Sequence, residues 1–167
     1  EEDEPEECED EDEVEDEEYL DVISQKYAYL KTSNDPNAWI SLAAYCFIYT
    51  YDYDSTISNC EKALDLNPES ADAFFWRGRA KAISRKFEDK SSAIEDFSRC
   101  IEIPPNNYNA YYQRGKLYCD KGDYRDAIDD FAKVISMNPN NYKAYGERGY
   151  ANYYYGNKQQ ALADFNS

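Results

Sequence analysis

Histidine is missing from this chain of 167 residues, which removes the side chain most often used as a general base and metal ligand. No Ser-His-Asp or Cys-His constellation can be assembled without it. Phosphate-cradling loops of the GxxxxGK or GxGxxG kind are absent as well. Five cysteines (Cys8, Cys46, Cys60, Cys100 and Cys119) form no CxxC pair, and an odd count at this spacing argues against a disulfide framework or a zinc site. No apolar run approaches the roughly 20 residues needed to cross a bilayer. The chain opens on acids, the reverse of a signal peptide with its positive charge and greasy stretch. These absences point away from an enzyme, a cofactor, a metal, a membrane span and direct contact with nucleic acid.

Acid is what the sequence has in excess, and it is unevenly placed. Of 35 Asp and Glu residues, 15 lie within 1–18, a stretch without Lys or Arg. The other 149 residues carry 20 acids against 18 bases, a near-neutral body behind an acidic tail. Such a tail predicts disorder. It then acts as a solubilising spacer, as a lure for a basic protein, or as an occupant of a cationic groove. Paired acids in the body (Glu88-Asp89, Glu95-Asp96 and Asp129-Asp130) are expected on solvated helix faces or turns. Four of the five cysteines fall on apolar helix faces, where a free thiol is a small hydrophobe. A reducing compartment, cytosol or nucleus, is expected.

The body repeats itself. Asn106-Asn107-Tyr108-Asn109-Ala110-Tyr111 returns as Asn140-Asn141-Tyr142-Lys143-Ala144-Tyr145, a shift of 34. Arg114-Gly115 returns as Arg148-Gly149, and Pro105 as Pro139, at the same shift. Ala93, Ala127 and Ala161 are spaced by 34, as are Phe97, Phe131 and Phe165. Upstream, Phe74, Arg77-Gly78 and Pro68 match Tyr111, Arg114-Gly115 and Pro105 at a distance of 37. The three extra residues lie around Arg85 to Lys90. Trp39, Ala43, Thr56, Cys60 and Pro68 outline a weaker first unit. The units are 36–70, 71–107, 108–141 and 142–167, the last incomplete.

Each unit reads as two helices. In 108–141, Tyr111, Arg114-Gly115 and Tyr118 mark one face of the first at three- and four-residue spacing. Gly122 supplies a left-handed stop, and Asp123 can cap the second helix. Ala127, Ile128, Phe131, Val134 and Ile135 form the second helix's apolar stripe, and Pro139 ends the unit. Residues 17–35 are expected to cap the array, helical over 17–32 through Tyr19, Leu20, Ile23, Tyr27 and Leu30. Ser167 falls inside a second helix, so the chain is expected to be a non-catalytic fragment of a larger multidomain protein.

The period and these residues resemble the tetratricopeptide (TPR) family, whose pattern is an aromatic and a small residue, then Ala, an aromatic and Pro. Phe74, Gly78, Ala93, Phe97 and Pro105 meet it, as do Tyr111, Gly115, Ala127, Phe131 and Pro139. In the last unit Tyr145, Gly149, Ala161 and Phe165 follow. The first unit departs, with Trp39 in place but Ala43 for Gly and Thr56 for Ala. Its hairpin is expected to be looser, or its turn register to be off by one.

The resemblance implies an all-α, right-handed superhelical solenoid of antiparallel helix pairs, and a scaffold or adaptor that takes a partner peptide on its concave side. Carrying the family's groove positions over gives Asn37, Ile40 and Ala44, then Asp72, Phe75, Arg79 and Ile83. The later units add Asn109, Tyr112, Lys116 and Asp120, then Lys143, Tyr150, Tyr153 and Tyr154. Arg79, Lys116 and Lys143 give this aromatic groove its cations, whereas Arg77, Arg114 and Arg148 precede the packed Gly and are expected to flank it. One branch of the family grips the C-terminal carboxylate of heat-shock chaperones with a Lys/Asn/Arg clamp. At the matching positions stand Ile40, Ala44, Trp76, Asn109 and Gln113, so a co-chaperone-like role lacks its clamp. The alternative is an acidic chaperone or chromatin-type factor in which the tail captures basic proteins. An exposed last helix could also promote self-association.

Overall fold

The computed structural model describes residues 28, 30–84, 90–105 and 107–167, and among them there are eight α-helices and no strand. They are α1 (Pro36–Tyr45), α2 (Tyr53–Leu66), α3 (Ala71–Ile83) and α4 (Ser91–Glu102). Then follow α5 (Tyr108–Lys121), α6 (Tyr124–Met137), α7 (Tyr142–Tyr155) and α8 (Lys158–Phe165). Each helix packs on its neighbours in sequence, and the first helices of successive hairpins also touch, α1 on α3, α3 on α5 and α5 on α7. The result is an all-α repeat solenoid. Of the expected N-terminal cap over 17–35, Ala28 and residues 30–35 are described. Leu30 lies against the cluster of Trp39, Leu42, Ala63 and Ala73, and the rest of 1–29 is outside the described residues.

Helix starts follow the polar residue ahead of each hairpin. Asp35, Ser70, Asn107 and Asn141 accept hydrogen bonds from the backbone N–H of Asn37, Ala73, Asn109 and Ala144 at 2.9–3.3 Å. Gly122 and Gly156 adopt φ of 85° and 100° at the ends of α5 and α7, the left-handed region a side chain resists. Asp123 stands at the start of α6 as expected, but its side chain makes no capping bond. The turn itself joins these helices: Asp123 N–H donates to the Tyr118 carbonyl at 2.8 Å.

The hairpins are held by one repeated contact. Gly78, Gly115 and Gly149 sit against Phe97, Phe131 and Phe165, and a Cβ on them would meet those rings at 3.1, 2.9 and 2.7 Å. One residue earlier, Arg77, Arg114 and Arg148 reach Asp96, Asp130 and Asp164 with two-pronged hydrogen bonds, the shortest being 2.7, 2.7 and 2.6 Å. An Arg-Gly step on the first helix thus meets an Asp-Phe step on the second. This overturns two expectations. Asp96 and Asp130 are buried, while their neighbours Glu95 and Asp129 are exposed. The three arginines turn between the helices instead of flanking the groove. Further donors complete two of the sites: Lys81 Nζ lies 2.8 Å from Asp96, and Asn152 donates to Asp164 at 3.1 Å. Burial pushes the Asp130 carboxyl up, opposed by its bonds to Arg114. Glu88-Asp89, and the insertion near Arg85, lie outside the described residues.

Between hairpins, small residues of the next first helix cover these rings. Ala110 and Leu117 of α5 join Phe97 and Cys100 in one cluster, and Ala151 of α7 joins Ala127 and Phe131. Phe97 and Phe131 are fully buried, whereas Phe165 is 57% exposed because no helix follows α8. Burial also pushes the Cys60 and Cys100 thiols up to about 12, which keeps them protonated.

The first hairpin solves the same problem differently. Leu42-Ala43 occupies the Arg-Gly register and Asn59-Cys60 the Asp-Phe register, all four buried. Its turn holds one residue more, since Ala43 to Thr56 spans 13 positions where Gly115 to Ala127 spans 12. A π-helical stretch, Cys46–Thr50, absorbs that residue. Tyr51 then takes the left-handed position with φ of 53°, and Asp52 N–H donates to the Cys46 carbonyl at 3.1 Å. The one-residue register shift is real, and the hairpin is closed.

Two tests follow. Gly115→Ala should cost about 1–3 kcal/mol by driving Cβ into Phe131. Gly146→Ala, where nothing lies within 4 Å, should gain about 0.5–1 kcal/mol from helix propensity. Urea unfolding of both variants reads the contrast, and equal effects would refute the close-approach account. Asp130→Ala should cost about 3–5 kcal/mol by stranding Arg114. The double change Arg114→Leu with Asp130→Asn, copying the first hairpin, should recover more than half of that.

Candidate concave binding surface

The residues carried over as groove positions all lie on the first helices, and their surroundings divide them into two groups. Around α1 and α3 the surface is a run of rings. Phe47 stands 5.5 Å from both Tyr53 and Trp76, and Phe75 stands 5.8 Å from Trp76. Arg79 lies over three of them, its Cζ 4.1 Å from the Phe47 centroid, 4.9 Å from Trp76 and 5.7 Å from Phe75. It is half-buried, and burial lowers the pKa of its guanidinium. Ile40 packs partly into the first core cluster, so little of it is offered to a ligand. Asn37, Asp72 and Ile83 are exposed, and Ala44 is half-buried.

Around α5 and α7 the surface is tyrosine and mixed charge. Tyr150, Tyr153 and Tyr154 are 44%, 55% and 53% exposed. Their rings touch: Tyr150 is 4.6 Å from Tyr154, and Tyr153 is 5.3 Å from it at nearly a right angle. Tyr124 of α6 stacks on Tyr154 at 5.4 Å. Tyr112 serves packing: its ring meets Phe131 edge-on at 5.8 Å, and its hydroxyl donates to Glu147 at 3.4 Å. Burial, with Glu147 beside it, pushes the Tyr112 hydroxyl up to about 12. Lys116 is exposed and lines a cleft of about 180 Å³ with Cys119, Asp120, Glu147 and Tyr150. Lys143 and Asn109 are exposed nearer the start of their helices.

Sequence reasoning missed Tyr53 and Tyr124 beside these residues, and Phe47, which is buried beneath Arg79. Tyr124 had left a signal, for Lys90 and Lys158 stand at its register in the neighbouring units. Phe47 had left none, because the extra residue in its turn breaks the register on which the comparison depends. At the five positions of the chaperone-tail clamp the structure presents Ile40, Ala44, Trp76, Asn109 and Gln113, with no Lys or Arg among them.

Comparison with known proteins agrees with this architecture. Residues 108–141, the α5/α6 hairpin, match the family model described as tetratricopeptide repeat. Among solved structures, one titled as a crystal structure of MamA superposes with a TM-score of 0.74 at 26% identity, covering 84% of this chain and 81% of that one. MamA from Desulfovibrio magneticus RS-1 gives 0.72 at 21% identity, with 84% and 80% covered. The Arabidopsis OM64 TPR domain gives 0.64 at 19% identity, covering 71% of this chain and 97% of that domain. The last two show the fold alone. Among the described residues no helix is long and apolar enough to cross a membrane. The hairpin at 108–141 thus matches the tetratricopeptide-repeat pattern, and its neighbours repeat the same Gly-against-Phe contact, or its small-residue counterpart, in an all-α array similar to those structures.

Proposed function

We propose that the chain is a non-catalytic protein-interaction scaffold that holds a polypeptide segment along its concave face. The observation that carries this reading is the cluster of Tyr150, Tyr153 and Tyr154, each about half exposed, in ring contact, and on the first helix of its hairpin. Tyrosines left in water side by side lose apolar contact that a partner would supply, and rigid aromatic anchors dominate binding energy at interfaces. Lys116 adds charge beside Tyr150, while Asp120 and Glu147 offset it, and Lys143 is exposed near the start of the same helix as the tyrosines. Affinity for a short peptide is expected on the order of micromolar, about -8 kcal/mol.

A second reading rests on composition: with 15 acids and no base, residues 1–18 would attract a basic protein. Salt separates the two, because exposed charges are screened within about 8 Å at physiological ionic strength. The reducing setting inferred from unpaired thiols, cytosolic or nuclear, belongs with either reading.

Selection of a randomised peptide library on the intact chain tests the groove. Selected peptides should lose at least tenfold in affinity on a variant with Tyr150, Tyr153 and Tyr154 all changed to Ala, with little change at high salt. Equal binding by that variant would discard the groove. Binding that vanishes with salt, and with the acids of 1–18 changed to amides, would favour acidic capture.

A further inference from the structure

Among the described residues, Arg79 is a charge without a counter-charge. Among the described arginines, Arg77, Arg114 and Arg148 each chelate a buried Asp, Arg99 pairs with Glu102 at 2.6 Å, and Arg125 is exposed to water. Arg79 is half-buried, yet among the described residues it makes no ion pair and no hydrogen bond. Among the described residues its neighbours are aromatic, with Cζ over Phe47 at 4.1 Å and over Trp76 at 4.9 Å, and Tyr53 close enough to favour the charged guanidinium. Ring faces attract the cation, but they accept none of its five N–H groups in a directed bond. A guanidinium taken partly out of water without an acceptor is unfavourable, so buried charges are normally paired.

The placement of the donors matters as much as the charge. Arg79 lies at a groove position of α3, and the rings hold its long side chain in one posture. Little conformational entropy therefore remains to be lost when an anion arrives. A planar fork so fixed suits two-pronged recognition of a planar oxyanion. Phe75 and Trp76 form a wall on which an apolar side chain next to that anion can lie. The nearest cation on its own helix, Lys81, is already bound to Asp96. One unspent positive charge favours a singly charged acceptor over a phosphate dianion.

We propose that Arg79, set among Phe47, Phe75 and Trp76, is a receptor for the carboxylate of an acidic partner segment, an Asp or Glu flanked by apolar residues. This rests on the concave face being a polypeptide-binding surface and specifies which peptides it selects. It also divides the groove: carboxylate recognition at α3, aromatic anchoring at α7.

The test uses a fluorescein-labelled peptide with one Glu between two Leu residues, blocked at both ends, and its twin with Gln for Glu. Anisotropy is followed on the intact chain, on Arg79→Gln and on Arg79→Lys. The Glu peptide should bind at least tenfold tighter than its twin to the intact chain. Arg79→Gln should equalise the two, and Arg79→Lys should keep part of the preference. Unchanged melting of both variants would show that the loss is not one of folding. If neither the intact chain nor the chain with residues 1–18 neutralised distinguishes the two peptides, or Arg79→Gln still prefers Glu, the carboxylate site is wrong. The groove reading is judged separately, by the tyrosine variants. A parallel titration uses the 167-residue chain with the 15 acids of residues 1–18 changed to amides. A preference seen only there would assign Arg79 to the chain's own acids and overturn the external partner.

Discussion

An Arg-Gly step on one helix against an Asp-Phe step on the next is the contact from which the other features of each hairpin follow. Glycine lets the two backbones approach, and phenylalanine fills the space its missing side chain leaves. The neighbouring Arg and Asp then fix the remaining freedom, rotation of each helix about its own axis. Successive residues on a helix are about 100° apart, so a dyad touched at two adjacent positions cannot roll without breaking one of them. Close approach alone would permit sliding. Two-pronged bonds from Arg114 to Asp130, both under 3 Å, do not. Such pairs are weak as stabilisers and strong as specifiers, since a buried carboxylate has few acceptable partners.

The first hairpin shows what the contact requires by doing without it. Ala43 and Cys60 divide differently the volume that Gly and Phe divide elsewhere, and Leu42 and Asn59 replace the ion pair. All four positions change together, as they must: Phe97's counterpart could not enlarge beside Ala43, nor could an Asp stay charged beside Leu42. Asn59 instead reaches Cys46, with Nδ2 3.6 Å from Sγ, and Cys46 opens the π-helical stretch. Loss of the ion pair and gain of one residue in the turn are therefore linked in space. Here the repeat was re-engineered as a unit.

The 34-residue period, the glycines and the phenylalanines were legible because sterics leave them few alternatives. Buried Asp96 and Asp130 were not, since each follows an acid that is solvated, and a run of acids on a helix reads as a polar face. Their arginine partners lie 19 and 16 residues away, beyond any local pattern. The correct reading was nevertheless available in the pairing of two recurrences: wherever Arg-Gly appears, Asp-Phe appears in the second helix, and where one is lost both are. The helices that carry Arg79, Lys116 and Lys143 were legible, but the surroundings of these side chains were not. Arg79, Lys116 and Lys143 look alike as cations in a sequence. Only packing reveals that the first lies on three rings and the others stand in water.

That difference has a simple geometric origin in α3. Arg77 and Arg79 are two residues apart, about 200° around the helix, and so face opposite ways. Lys81 is four residues from Arg77 and returns to its side, where both bind Asp96. The same step places Asn152 beside Arg148 on Asp164 in α7. Positions two beyond the paired arginine are therefore turned away from the hairpin contact, and they are occupied by Arg79, Lys116 and Tyr150. The contact fixes helix rotation, so these three positions differ in charge and burial while the hairpin contact stays the same. A half-buried arginine, an exposed lysine and an exposed tyrosine thus occupy equivalent positions, and the register that locks these three hairpins is the one that turns them away from the lock.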